Sequence, residues 1–451
     1  MDHSSKRLTV IHPISILYMK YYSINRQSPE VNFKEATIRG QAPDKGLYFP
    51  GYIPKLDAGF VKNFDQLSNE EIAFRVIQPY VGDTIPEEIL LRIVSETVNF
   101  PIPLVRVNEW ASSLELFHGN TLAFKDIGAR FMSRCLGYFV KDQSKKVTVL
   151  VATSGDTGGA VADGFYGVDD IDVVILYPSG KVSMVQEKQL STLGKNIHAV
   201  EVAGSFDDCQ QMVKQAFMDQ TLSQQLFLTS ANSINVARWL PQQFFYFFAA
   251  KQWSGKHDPL VISVPSGNVG NICAGLLARQ SGLSINHLIA ACNANDVVPS
   301  FMKSGQYRPQ KSVATISNAM DVGDPSNFVR ILEMFNNKID DLQQALSSYT
   351  ISDEETKKAI REVYNDHGYL LDPHGAVGYL SLQKYLQQEN LSQGIFLETA
   401  HPVKFYDVVE PLIGKSIDLP EPVARLMNLP KVAVQMPATF SSLKDYLMTL
   451  S

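Results

Sequence analysis

Six short segments of this chain carry residue types that could act on a small anionic molecule. The first is Phe117-His118-Gly119-Asn120-Thr121-Leu122-Ala123-Phe124-Lys125-Asp126. A lysine on an amphipathic helix is ordinarily solvated. One drawn into an apolar pocket, as the neighbours Phe124 and Ile127 would allow, becomes a free amine nucleophile toward an aldehyde. The second segment is Ser154-Gly155-Asp156-Thr157-Gly158-Gly159. It reads either as a tight turn with Ser or Asp capping a helix, or as an anion site at a helix start. The third, Tyr177-Pro178-Ser179-Gly180-Lys181, and the fourth, Asn232-Ser233-Ile234-Asn235-Val236-Ala237-Arg238, each end in a cation. Lys181 and Arg238 read as surface charges or as partners of an anion. The fifth, Ser266-Gly267-Asn268-Val269-Gly270-Asn271, has glycines three apart, not the GxGxxG spacing of a dinucleotide site. It is a turn or a phosphate cradle built from backbone N–H groups, with asparagine side chains as further donors. The sixth is Glu398-Thr399-Ala400-His401-Pro402. Thr399 offers a hydroxyl there, or caps the next helix.

These segments share a setting. Short apolar runs at Val147–Ala152, Asp172–Tyr177, Asn196–Val202, Leu260–Val264, His287–Cys292 and Ile395–Leu397 alternate with helix-compatible stretches. That alternation predicts an α/β fold with mostly parallel sheet covered on both faces. Ligands then sit beyond the carboxyl ends of the strands. Four of the six segments directly follow or complete such a run. A chain of 451 residues, 45% apolar and 19% charged, has material for two or three domains with a large core. Helical patterns near Phe33–Ile38, Glu70–Val76 and Glu87–Thr97, and a turn at Ala42–Gly46, make the first hundred residues one unit. The prolines of Phe100–Pro103 form its boundary. Residues 1–18 read as a leader, since Met19 opens a second, more ordinary start.

Composition narrows the classes of function. Forty basic against forty-six acidic residues give a net charge of −6, which argues against a broad nucleic-acid surface. No apolar stretch reaches the roughly 18 residues that a membrane helix needs. Cys135, Cys209, Cys273 and Cys292 are widely spaced, with neither CxxC nor HxxxH in the chain, so no metal site is expected. Unpaired thiols fit a cytoplasmic protein.

Each segment is weak alone, but their order is informative. HGNTLAFKD, ATSGDTGGA, YPSGK, SANSINVAR, PSGNVGN and ETAHP, with APDKGLYFP at Ala42–Pro50, resemble the threonine synthase family in the branch with an extra N-terminal domain. The likeness runs from Met19 almost to the end. Asn120 stands where the family more often has proline, and Val269 where this branch more often has phenylalanine. The resemblance implies fold type II of the pyridoxal-phosphate (PLP) enzymes, similar to tryptophan synthase β. Open, mostly parallel sheets form two lobes over residues 101–451, and residues 1–100 form an N-terminal α+β domain. It further implies that Lys125 carries PLP as a Schiff base and moves protons. Gly267, Asn268, Val269, Gly270 and Asn271 hold the cofactor phosphate, Thr399 meets the pyridine nitrogen, and Asp156 lies near the phenolic oxygen. Ser154, Gly155 and Thr157 take the substrate carboxylate. Lys181 and Arg238 are assigned to the phosphate of O-phosphohomoserine by a count of anions. The implied activity is conversion of that substrate and water to threonine and phosphate, by a monomer, with a dimer as the alternative. The competing readings are a threonine or serine dehydratase, and an inactive relative that only binds a phosphorylated ligand.

Overall fold

The computed structural model describes residues 19–141, 146–255 and 258–450. The expected leader, residues 1–18, lies outside them. In chain order the strands are β1 (Tyr21–Ser23), β2 (Tyr48–Pro50), β3 (Leu104–Arg106), β4 (Ala111–Glu115), β5 (Val147–Ala152), β6 (Ile171–Pro178), β7 (Ile197–Ala203), β8 (Phe227–Ser230), β9 (Val261–Pro265), β10 (His287–Cys292), β11 (Leu346–Thr350), β12 (Gly394–Glu398) and β13 (Ala433–Pro437). All six apolar runs of the sequence are strands. β5, β6, β10 and β12 are buried along their whole length. Burial on both faces explains why they read as continuous apolar runs and not as alternating ones.

Two sheets carry the architecture. One has the order β11-β10-β9-β12-β4-β3, the other β13-β7-β6-β5-β8. Every pairing in them is parallel except that of β3 with β4. The chain builds the start of the first sheet, crosses to the second, returns to complete the first, and sends β13 back to the second. Strands β4, β8, β11 and β13 do not show as apolar runs. Serines interrupt β4 and β11, and β8, β11 and β13 lie at sheet edges, where one flank needs no apolar cover. In β4 the buried Ser113 hydroxyl accepts a hydrogen bond from Tyr369 at 2.9 Å.

The N-terminal unit comprises the β1–β2 hairpin-like pair and helices α1 (Phe33–Arg39), α2 (Asn69–Val81) and α3 (Glu87–Thr97). Asn32 and Ser68 cap α1 and α2 by accepting the N–H groups of Glu35 and Glu71. The unit has no core of its own. Phe33 packs against Phe131 and Phe139 of helix α4 (Lys125–Val140), with ring centroids 6.4 and 6.1 Å apart. Those side chains belong to one cluster that continues into the buried faces of 239–249 and 272–278.

Arg330 is one of the residues that tie this unit to the remainder. It is fully buried, and its guanidinium lies 4.4 Å from the centre of the Trp239 ring. Its N–H groups donate to the carbonyls of Tyr48 (3.0 Å), Ser233 (3.3 Å) and Ile234 (2.6 Å), and to Asn327 Oδ1 (2.7 Å). No carboxylate pairs with it among the described residues. Three carbonyls and an amide therefore replace its water. Arg330→Met should strand those acceptors and lower the apparent thermal midpoint by about 5 °C or more, from a loss of about 2–4 kcal/mol. A midpoint within one degree of the parent, read by circular dichroism, would contradict that role for the guanidinium.

Candidate active site

Because β9 and β12 pair in parallel, with Ile262 opposite Ile395 and Ser263 opposite Phe396, the loops after them emerge at one edge. The segment before α4 joins that edge. Phe124 N donates to Thr399 O at 2.9 Å, and His401 N to Leu122 O at 3.0 Å. Asp126 stiffens this segment by accepting from the Thr121 N–H at 2.9 Å and from its hydroxyl. Lys125 is the first residue of α4. Its amine has no hydrogen bond or ion pair among the described residues, and the centre of the Phe124 ring lies 5.8 Å away. Burial is the main force lowering its pKa to about 8; Asp156 opposes the shift, and the charges of Lys404 and Arg238 add to it. A lysine in that state can act as a free amine nucleophile toward an aldehyde.

The second loop opens helix α5 (Asp156–Phe165). Neither Ser154 nor Asp156 caps it. The cap position is Gly155, at φ 138°, and Thr153 Oγ1 accepts the N–H groups of Gly155 and Gly158 at 3.0 and 2.8 Å. A Cβ on Gly155 would overlap the Gln186 carboxamide, so both the backbone angle and the contact require glycine. Ser154 and Thr157 are half-buried, with hydroxyls free of protein partners among the described residues. Asp156 is buried. Burial raises its pKa, but the neighbouring cations Lys404 and Lys125 outweigh that, and it lies well below the usual carboxylate range.

Two residues of this network escape a reading of the sequence. Lys404, with no exposed surface, places Nζ 2.9 Å from Asp156 Oδ1 and donates to Thr121 O at 2.8 Å. Gln186, on helix α6 (Met184–Ser191), donates to the same Asp156 oxygen at 2.9 Å. Signals were present for both. Lys404 stands between Val403 and Phe405, an apolar flank like that of Lys125. Ser183 and Gln186 have the spacing of a capping box, and they form one.

The fifth segment leads from β9 into helix α8, Gly270–Ser281; the intervening short helix Val236–Trp239, α7, carries Arg238. The residue in the left-handed region is Val269, at φ 50°, and neither loop glycine has a positive φ. What Gly267 supplies is closeness, since a Cβ there would sit 2.8 Å from Met320 Cα and 3.0 Å from Ala319 O. No side chain caps α8, which leaves its first N–H groups for an anion. Asn268 is held through its acceptors, and its Nδ2 has no protein partner among the described residues. Its Oδ1 accepts from Ser326 N at 3.3 Å, and its carbonyl is held by Asn327 Nδ2 at 3.2 Å. Asn271 is better placed, for its Oδ1 accepts from Tyr246 and its Nδ2 is buried without a partner. An uncapped helix start, an orphaned amide donor and the unpaired Lys125 amine fit a phosphorylated aldehyde.

Thr399 is buried and is not a helix cap; His401 takes that part, accepting from Val403 N at 3.1 Å. The Thr399 hydroxyl has no protein partner among the described residues. Burial, then the nearby Asp372 and Glu115 charges, push the carboxyl of its neighbour Glu398 well above the usual carboxylate range. Arg238 is not a surface charge. It lies buried beneath α4, with Nη1 donating to Ala231 O at 2.8 Å and Nε unpartnered. Lys181 is exposed after β6, and no described contact joins it to Arg238.

An open α/β fold whose loop edge carries a lysine of lowered pKa and an uncapped helix start fits a pyridoxal-phosphate enzyme. The family model for "Pyridoxal-phosphate dependent enzyme" matches residues 98–399, with models for the threonine synthase N terminus at 20–98 and C-terminal region at 375–447. Threonine synthase of Serratia marcescens is 44% identical over 436 residues, 96% of this chain and all of the relative. That of Escherichia coli is 43% identical over 95% of this chain and 99% of the relative. The Escherichia coli threonine synthase crystal structure superposes with a TM-score of 0.89, 42% identity, and coverage of 96% and 100% of the two chains. PLP-bound threonine synthase from Brucella melitensis gives 0.89 at 33% identity, covering 96% of this chain and 99% of the other. Maize serine racemase, at 17% identity and a TM-score of 0.53, shares the fold. The chain belongs to the threonine synthase family, and pyridoxal phosphate is its cofactor.

The state of Lys125 fixes a pH dependence. Its neutral amine is the reactive form and becomes the majority above about pH 8. Cofactor uptake by the PLP-free protein should therefore accelerate as pH rises toward that value and level off beyond it. Stopped-flow absorbance would read this, and a rate unchanged from about pH 6 to 9 would remove the assignment.

Proposed function

We propose that this chain converts O-phospho-L-homoserine and water to L-threonine and phosphate, the closing step of threonine biosynthesis. The observation that carries the reading is the unpaired, pKa-lowered Lys125 amine beside the buried Asp156, in a chain matched along its length by threonine synthases. PLP, once bound, supplies the electron sink that makes carbon-bound protons near the substrate amine labile. Lys125 takes those protons, first from the α-carbon and then from the β-carbon, and gives protons back to the γ-carbon and finally to the α-carbon. A single flexible amine that titrates near the working pH can serve as base and acid in turn. Phosphate leaves the γ-carbon, a proton is delivered there, and water adds its hydroxyl at the β-carbon.

Three anionic groups must then be held. The cofactor phosphate takes the start of α8 at Gly267–Asn271, and Thr399 gives its hydroxyl to the pyridine nitrogen. The Ser154 and Thr157 hydroxyls with the Gly155 turn take the substrate carboxylate. Lys181 and Arg238 take the substrate phosphate. The unpartnered Nε of buried Arg238 supports its part, and Lys181 lies at the ligand-bearing edge of the second sheet. Residues 1–100 act as an N-terminal domain and 101–451 as the catalytic region. The chain is proposed to act as a monomer, with a dimer as the alternative. No helix among the described residues is long and apolar enough to cross a membrane. The four cysteines are free and buried, which supports a cytoplasmic location.

Phosphate release from O-phosphohomoserine with threonine as product is the expected assay result. Keto acid from threonine or serine, without phosphate release, would assign the chain to the dehydratases. Lys181→Ala and Arg238→Lys should each lower kcat/KM roughly tenfold to a few hundredfold while PLP content stays constant. Loss of the cofactor from either variant would show that its cation serves the other phosphate.

A further inference from the structure

Two lysines and one carboxylate meet beside the candidate site, and the pairing is unequal. Lys404 is fully buried, a costly place for an ammonium group unless it is paired. It has that pair, with Asp156 Oδ1 at 2.9 Å and Thr121 O at 2.8 Å. Gln186 Nε2 fixes the same Asp156 oxygen at 2.9 Å from α6. Lys125 has no such partner among the described residues. The charged groups acting on it are Asp156 from α5, Lys404 from the segment after β12, and Arg238 from α7. Asp126, next to it in α4, bonds to Thr121 and acts on Arg238. Asp156 is thus the one anion acting on Lys125, and the geometry gives it to Lys404.

We propose that Lys404 is a positioning residue: by holding the Asp156 carboxylate in its own ion pair, it denies Lys125 an anionic partner and leaves the Lys125 amine free to react with the cofactor carbonyl. The proposal rests on Lys125 being the cofactor lysine. Lys404 also keeps Asp156 ionised and fixed, so the carboxylate can neither swing to Lys125 nor take up a proton. Without Lys404, Asp156 would turn to the remaining cation. An opposite charge at close range favours the ammonium form of a lysine by about 1–3 pH units.

The test begins with the parent holoenzyme. Borohydride reduction should leave PLP on a peptide containing Lys125; label on another lysine would defeat the cofactor assignment itself, an outcome distinct from failure of the Lys404 role. The PLP-free parent, Lys404→Met, Asp156→Asn and the double variant are then compared by competitive acetylation with acetic anhydride across pH. Peptide mass spectrometry reads the apparent pKa of Lys125. Lys404→Met should raise it by about one unit or more and slow PLP uptake near neutral pH about tenfold. Adding Asp156→Asn should return it to within a few tenths of the parent value. A packing defect would not be repaired by removing a second polar partner. An unchanged Lys125 pKa in folded Lys404→Met, or no return in the double variant, would overturn the proposal. Should Lys404→Met not fold, Asp156→Asn alone decides: it must lower the Lys125 pKa below the parent's, and no change would overturn the proposal.

Discussion

Strands β9, β12 and β4 pair in parallel, and a parallel strand is reached only by crossing over a face of the sheet. The crossovers supply helices, and the strand ends supply loops that emerge on one side. The site is a consequence of that constraint. The turn into α8, Thr399 after β12 and the segment before α4 come together because β9 and β12 end in register and Phe124 bonds to the Thr399 carbonyl. The second sheet, also parallel, brings the Gly155 turn and the Lys181 loop to its own carboxyl edge. Each chemical group therefore sits at the end of an element whose length the core sets.

Electrostatics then decides what those groups can do. The structure places few compensating anions near the cations of this site. Among the described residues the half-buried Lys125 has no pair, the buried Arg238 donates to a single carbonyl, and Lys404 has the Asp156 carboxylate within 4 Å. Such an arrangement leaves positive potential where phosphate and carboxylate groups must be bound, in a chain whose net charge is −6. Local field and net charge are separate quantities.

Much of this is legible in the sequence. Strands buried on both faces announce themselves as apolar runs, and all six such runs are strands. The loops after them hold Asp156, Gly267 and Thr399, as their positions required. What stays hidden depends on contacts distant in sequence. Lys404 is 248 residues from its partner Asp156 by the numbering, and no local pattern states that distance. Glycines in a phosphate loop suggest unusual φ, whereas here Val269 has that conformation and Gly267 provides room for Met320. Arg238 resembles a surface charge because a short Asn-rich turn gives no sign that α4 will cover it. Ser154 resembles a cap, but Thr153, one residue earlier, has the better hydroxyl geometry.

Arg330 bears on how such a chain can be rearranged in evolution. Its guanidinium rests against Tyr48 of the N-terminal unit on one side and against Asn327, which holds the Asn268 carbonyl, on the other. The unit is thus not a detachable module that could be lost or exchanged by recombination at the Pro101–Pro103 seam. A descendant lacking it would inherit a buried cation missing one of its acceptors, one step from the cofactor loop. Shedding the first hundred residues would require replacing residue 330 in the same lineage, and a shorter cousin of this fold should be recognisable by an uncharged side chain at that place.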